Sequence, residues 1–182
     1  MDELIEHHTI EKLKAGDIKA LTPLVQTYQH RALRTAYLVT QDQSLAEDVT
    51  QSAFLRAFEC IHQFDSSCRF LPWFLRIVVN MAVQSAKNQS RTLSLDTLSN
   101  DDELPDTMLN PEVQVEIREL ETQIETLLEQ LSPEQRAVIV LRYYVDFTET
   151  QMAHMLDVPT GTIKSRLFSA RKQLRRLISV LS

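Results

Sequence analysis

Between Thr162 and Arg176 the chain can line one side of a helix with Thr162, Lys164, Ser165, Arg166, Phe168, Ser169, Lys172 and Arg176. Such a face makes and breaks no bonds. Its chemistry is recognition, with hydroxyls and amines for the polar edges of bases, cations for phosphates and one ring for apolar contact. An ordinary solvated cationic helix is the other reading of the same pattern, and other features of the segment decide against it. From Thr160 to Leu177 there are six cations and no acid, and Ile163, Leu167, Ala170, Leu174 and Leu177 recur at helical steps, so one stripe is buried while the polar face stays outside.

The elements that hold this face begin at Ser132. Ser132, Pro133 and Gln135 form a capping box with proline at the first helical position, and Thr148 and Gln151 repeat the box for a short helix whose Met152, Met155 and Leu156 can face inward. After Leu156-Asp157-Val158-Pro159 the polar-faced helix starts near Thr160. A short helix, a tight turn and a longer helix is the helix-turn-helix arrangement, which lays its second helix in the major groove of DNA. Thr160, Gly161 and Thr162 also offer helix-start amides to a phosphate.

Nothing elsewhere suggests catalysis. There is no close nucleophile-base pair, metal-ligand cluster or phosphate-cradling glycine loop, and helix-spaced acids such as Glu121 and Glu125 read as solvated charge. Cys60 and Cys68 do not form a close metal pair and read as reduced, buried or half-buried thiols. His7, His8, His30, His62 and His154 are scattered, so no metal or other cofactor is expected. The chain is expected not to be an enzyme.

With 182 residues, 43% of them apolar and only two glycines, the expectation is one large or two small domains of long helices joined by polar loops. No apolar run reaches bilayer length, and the acidic start Met1-Asp2-Glu3 is unlike a secretion signal, so a cytoplasmic location is expected. The net charge of −6 looks wrong for a DNA binder until it is divided along the chain. Residues 1–91 hold ten cations and ten acids, residues 92–130 one and eleven, residues 131–182 eight and four. Acidity is confined to the middle, and the end is basic.

In the first half, Asp17 can cap a helix carrying Leu21, Leu24, Val25, Tyr28, Ala32, Leu33, Ala36 and Tyr37. Ser44 and Glu47 offer a further capping box for a helix with Leu45, Val49, Ala53, Ala57 and Phe58 inside and Asp48, Gln51 and Arg56 outside. A polar loop from Gln63 to Arg69 leads to Phe70, Trp73, Phe74, Ile77, Val78, Met81 and Ala82 at helical spacing. An aromatic-rich helix start beside a polar loop fits core packing, and it also fits stacking and hydrogen bonding to single-stranded nucleic acid. Periodicity does not separate the two. Thr92 to Pro111 has a linker's composition, and from Glu112 a further amphipathic pattern runs through Val113, Ile117, Leu120, Ile124, Leu127, Leu128 and Leu131.

In this order the parts resemble the extracytoplasmic-function group of sigma-70-type transcription initiation factors, over roughly Ala15 to Leu181. Leu45 to Ala57, with Glu47, Asp48, Gln51 and Phe54, is similar to the family's polymerase-docking helix, and Phe70 to Asn80, with Pro72, Trp73 and Phe74, to its promoter-melting helix. Leu131-Ser132-Pro133-Glu134-Gln135-Arg136, followed by Gly161-Thr162-Ile163-Lys164-Ser165-Arg166-Leu167, resembles the domain that reads the minus-thirty-five element.

The resemblance implies an all-α fold of two small helical domains, a region 2 bundle over residues 1–90 and a region 4 helix-turn-helix domain over 112–182, joined by an acidic linker over 91–111. It implies core RNA polymerase and promoter DNA, duplex and melted, as partners, and often an anti-sigma factor. Asp48 and Gln51 would meet the polymerase clamp helices, with Phe54 and Leu55 adding apolar area or core packing. Phe64, Asp65, Ser66, Arg69, Phe70, Trp73, Arg76, Asn80 and Lys87 would serve the minus-ten element, where unpairing a base costs about a few kcal/mol. Arg142, Thr162, Lys164, Ser165, Arg166, Phe168, Ser169 and Arg171 would serve the minus-thirty-five element, Arg142 and Arg171 through phosphates. Asp96, Asp101, Asp102, Glu103 and Asp106 would suit a basic polymerase channel.

Two departures stand out. Members usually carry a run of arginines after the melting helix, where this chain has only Lys87 and Arg91 between Ser85 and Arg91, implying fewer phosphate contacts and a shallower salt dependence. Ser169 stands where many relatives carry arginine. The competing function is a stand-alone regulator that binds palindromic duplex operators through the same helix-turn-helix. Footprinting distinguishes them, because an initiation factor protects separated asymmetric boxes only with core polymerase.

Overall fold

Side-chain caps mark several of the helix starts in the computed structural model, which describes residues 3–92, 120 and 122–181. The acid-rich linker, with Asp96 to Asp106, and the apolar positions Val113 and Ile117 lie outside the described residues. All described elements are helical: α1 (Glu3–Lys14), a 3-10 turn (Ile18–Ala20), α2 (Leu21–Thr40), α3 (Gln43–Glu59), a second 3-10 turn (Ile61–Gln63), α4 (Phe70–Thr92), α5 (122–129), α6 (Pro133–Tyr143), α7 (Glu149–Leu156) and α8 (Thr160–Leu181).

Both capping boxes of the second half form, Ser132 with Gln135 and Thr148 with Gln151. Asp17 accepts from the Lys19 N–H at 3.0 Å, and so caps the 3-10 turn that leads into α2. The start of α3 differs from the sequence reading. Asp42, two residues before Ser44, takes the cap by accepting from the Leu45 N–H at 2.7 Å, and Glu47 is instead bonded by the Gln43 amide at 2.7 Å. An ionised carboxylate at a helix start gains from the dipole as well as the bond, which favours aspartate over serine there.

Helices α2, α3 and α4 pack around Leu24, Ala36, Val39, Ala46, Val49, Ala53, Phe74, Leu75 and Val78. Each large side chain so enclosed contributes about 1.5–3 kcal/mol. Three threonines inside this packing return their hydroxyls to their own helices, Thr35 to Arg31 O, Thr40 to Ala36 O and Thr50 to Ala46 O, so each of these three buried donors is met. The sequence showed no sign of α1. Gly16 ends it at φ +88 with the N–H bonded to Leu13 O, a conformation that suits glycine, and Ile10 and Leu13 are buried. Glu6 of α1 accepts from the Phe70 N–H at the start of α4 and from the Tyr28 hydroxyl.

The second body is α5 to α8, and it packs on the first. Helix α6 lies against α2 and α4, α7 against α4, and the buried apolar residues run without a break from Phe74 and Val78 to Leu131, Ala137, Leu141, Met152, Ile163 and Leu167. Glu125, read from sequence as solvated charge, instead receives Arg34 at 3.0 Å and the Tyr37 hydroxyl at 3.2 Å.

Burial and the neighbouring carboxylates raise two phenols, Tyr37 to about 12 beside Glu125 and Tyr28 further still beside Glu6. Folding therefore favours their protonated forms. The resulting stability is whole below the ordinary phenol value of 10.0 and is lost as pH rises from there through about 12. Denaturant titrations across that window should show stability falling in the parent chain, and falling less with Tyr28→Phe and Tyr37→Phe combined. Equal slopes would show that these phenols carry none of the alkaline loss.

Candidate nucleic-acid interface

Asp157 takes the left-handed conformation, φ 52, at the end of α7, and its N–H bonds to Ala153 O. This single residue turns the chain through Val158 and Pro159 into α8, where Ile163, Leu167 and Ala170 are buried against α6 and α7. Lys164, Ser165, Phe168, Ser169 and Lys172 consequently stand exposed along the other side, Phe168 by 71%. An apolar ring that exposed, among cations, has the composition of a surface that meets another molecule.

The rest of the face is braced. Thr162 and Arg166 are half-buried, and the Ser165 hydroxyl donates to Thr162 O at 2.9 Å. Arg171 donates from Nε to the Tyr143 hydroxyl at 3.0 Å, with its guanidinium 5.7 Å from that ring. Gln135 donates from Nε2 to the Ser169 hydroxyl at 3.1 Å. An open cleft at the start of α6 is lined by Ser132, Glu134, Gln135, Ser165, Arg166 and Ser169. Arg142 is directed to the loop after α6, where it donates to Phe147 O at 3.1 Å.

On the first body the predicted residues divide three ways. Phe64 and Phe70 are 3% and 0% exposed, packed with Phe74 and Tyr28, so in this arrangement neither offers a ring face to a base. Trp73 is half-buried, 5.1 Å from Phe64 and 5.6 Å from Phe70. Asp65 and Arg69 are exposed beside a half-buried Ser66, which is bonded by Lys14 at 2.6 Å and donates to Glu11 at 3.2 Å. The Ser67 backbone N–H holds the Asp65 carboxyl below its ordinary range. Cys68 in this loop is exposed, against the expectation of a buried or half-buried thiol, as its neighbours Ser67 and Arg69 are; Cys60 is half-buried.

Further along α4, Arg76 is half-buried, Asn80 donates to Met155 O of α7 at 3.1 Å, and Lys87 pairs with Glu134 of α6 at 2.5 Å. Partial burial works against the Glu134 carboxylate, but Lys87 outweighs it and leaves the carboxyl below its ordinary value. Two residues on the predicted minus-ten face are thus held by the second body. On α3, Asp48, Gln51 and Leu55 share one exposed side, whereas Phe54 is 5% exposed and packs against Phe74 in a tilted pair with ring centroids 4.4 Å apart. Gln135, Tyr143, Glu11 and Lys14 were not singled out for this interface from sequence. Gln135 read as a cap alone, and the partners of the others lie far along the chain.

Residues 24–92 match the family model for sigma-70 region 2, and residues 121–174 match that for sigma-70 region 4. Among curated proteins, the ECF RNA polymerase sigma-E factor of Haemophilus influenzae is 30% identical over 189 residues, covering 99% of this chain and 98% of that one. The chain belongs to the ECF RNA polymerase sigma factors. The ECF RNA polymerase sigma factor SigW of Bacillus subtilis is 28% identical over 181 residues, covering 96% of this chain and 97% of the other. The fold agrees with the sigma factor RpoE of Bartonella quintana, solved with the anti-sigma factor NepR, at TM-score 0.67 and 20% identity over 90% of this chain and 99% of that one. It also agrees with CnrH, solved with the cytosolic domain of CnrY, at 0.66 and 19% over 98% and 99%. As a sigma factor the chain directs RNA polymerase to promoters, and it is not a stand-alone operator-binding regulator. Among the described residues no helix is long and apolar enough to cross a membrane.

Proposed function

We propose that the two bodies divide the work of initiation: α3 docks on core polymerase, α4 with the loop before it handles the minus-ten element, and α8 reads the minus-thirty-five element in duplex form. The observation that carries this reading is the exposed side of α8, cationic and hydroxyl-bearing around Phe168, on a helix whose opposite stripe is sealed into the fold. Lys164, Ser165, Phe168 and Ser169 meet base edges, and Arg171 meets a phosphate. Thr162 and Arg166 flank them, and Arg142 reaches the backbone once it leaves Phe147 O. Asp48, Gln51 and Leu55 supply an exposed polar and apolar docking patch, backed by Phe54 in the core.

Near the minus-ten element, Asp65, Ser66 and Arg69 form a polar rim, and Trp73 is the aromatic with surface left for a base. Asn80, Lys87 and Arg76 follow along α4, while Phe64 and Phe70 support that rim from the core. The chain performs no chemistry of its own, works in the cytoplasm with polymerase, and is held inactive by an anti-sigma factor of the kind found with its structural neighbours.

Run-off transcription with core polymerase and a randomised promoter library tests the whole reading, and failure to bind core would reject it. Within that assay Asp48→Ala should weaken core binding severalfold and leave promoter selectivity intact. Lys164→Ala should keep core binding but weaken the preference at one minus-thirty-five base by about five- to tenfold or more, the worth of a base-edge contact. If Lys164→Ala left selectivity at the parent level, α8 would not be seated in the groove as described.

A further inference from the structure

The amide of Gln135 performs two tasks at once. As the third residue of α6 it closes the capping box, its Oε1 accepting from the Ser132 N–H at 3.0 Å while its own N–H donates to Ser132 Oγ at 3.3 Å. Because a backbone N–H can only donate, the atom facing Ser132 must be the amide oxygen. The orientation of the side chain is thereby settled. The amide nitrogen points the other way, across the cleft, and donates to Ser169 Oγ at 3.1 Å.

A serine hydroxyl that accepts one bond still has its hydrogen to give. Among the described residues no acceptor takes that hydrogen, and Ser169 stands exposed one turn beyond Ser165 on the outward side of α8. The hydroxyl is therefore biased toward donation from a different helix, with one lone pair taken and the hydrogen left over.

We propose that Gln135 is a positioning residue for promoter specificity. By occupying one of the two lone pairs of Ser169, it biases that hydroxyl toward presenting its hydrogen to the major groove, so that one position of the minus-thirty-five element favours an acceptor such as guanine O6, thymine O4 or a purine N7. The inference rests on the reading of α8 as the minus-thirty-five helix and deepens it. Ser169 offers a short, single donor at this position, and Gln135 supplies its orientation.

The test uses holoenzyme assembled from core polymerase and the full chain, with selection from a promoter library randomised over the minus-thirty-five element. Gln135→Glu is the informative variant, because glutamate at this position preserves the capping box but accepts the Ser169 hydrogen and withdraws it from the groove. Gln135→Ala removes both roles, and Ser169→Ala removes the hydroxyl. The parent should favour acceptor-bearing edges at one position by about three- to tenfold, the worth of a single hydrogen bond. Gln135→Glu should flatten or invert that preference alone, with core binding and thermal midpoint near the parent's, and should do nothing further in a Ser169→Ala background.

Several outcomes overturn the proposal. If Ser169→Ala shifts the preference and Gln135→Glu does not, Gln135 does not act through the hydroxyl. If Gln135→Glu shifts it equally with and without Ser169, Gln135 contacts DNA itself. If Ser169→Ala leaves every position unchanged while Lys164→Ala does not, Ser169 is no reader and the proposal falls while α8 keeps its assignment. If neither matters, the placement of α8 falls first.

Discussion

Replacing Arg136 with methionine is expected to cost about 2 to 4 kcal/mol of unfolding free energy, although methionine fills much of the same space. Arg136 is 8% exposed. Its Nε donates to Val39 O at 2.7 Å and its Nη1 to Leu131 O at 3.3 Å. Val39 lies in the last turn of α2, where carbonyls have no partner within the helix. The neighbouring ones are met locally, Tyr37 O by the Gln41 N–H and Leu38 O by the Gln41 side chain. Val39 O is met by the guanidinium from the other body, at the negative end of the α2 dipole.

Burial pushes that guanidinium below its ordinary value, with Glu129 opposing, so part of the gain is spent in desolvating the charge. Removing the charge recovers that part. Yet two buried carbonyls then face methionine, and an unmet acceptor costs more than the pair gained. Arg136→Lys should fall between parent and methionine, since an ammonium cannot match the fork. Denaturant unfolding of all three checks the order. If the methionine variant unfolded at the parent midpoint, the guanidinium bonds would do no more than offset the burial of the charge.

What the sequence disclosed and what it withheld follow from range. The boxes at Ser132 and Thr148 are complete within four residues, so their donors and acceptors could be matched by eye, and the stripe from Ile163 to Ala170 repeats often enough to identify a buried face. Asp42 and Ser44 compete for one helix start, and composition alone does not rank two caps two residues apart. Helix α1 was not legible at all. What seats it is Glu6 with Tyr28 and Phe70, and Lys14 with Ser66, partners from 22 to 64 residues away.

The aromatic segment shows the same limit from another side. Spacing put Phe70, Trp73 and Phe74 on one helix but could not tell which ring is enclosed. Phe64, arriving from the preceding loop, covers Phe70 and leaves part of Trp73 outside. Likewise Arg136 sits inside a recognisable capping motif, where nothing nearby marks it as buried. The carbonyl that explains it is 97 residues back.

Holding the two bodies together should abolish promoter opening while sparing attachment to polymerase, because the contacts between them use side chains that we propose meet the minus-ten element. Asn80 is engaged with Met155 O and Lys87 with Glu134, whereas Asp48, Gln51 and Leu55 on α3 stay exposed in the same arrangement. On the proposed assignment, docking on polymerase through α3 needs no separation, whereas minus-ten contacts by Asn80 and Lys87 need it. Each bond is modest, and partly exposed ion pairs contribute about 1 kcal/mol or less. Separation must also expose the shared apolar seam and break the Arg136 bond to Val39 O, so the closed state opposes opening until polymerase and promoter together supply that cost. A covalent bridge would forbid it. With Cys60→Ser and Cys68→Ser removing the natural thiols, Lys87→Cys and Glu134→Cys can be joined by a short bismaleimide, and the unbridged protein serves as control. Bridged protein should bind core as the control does and lose open-complex formation by on the order of a hundredfold, the consequence of confining a two-state equilibrium to one side. Permanganate reactivity of minus-ten thymines reads the outcome. Normal reactivity from the bridged holoenzyme would mean that α4 engages the melted strand without giving up α6 and α7, and that Asn80 does not touch it.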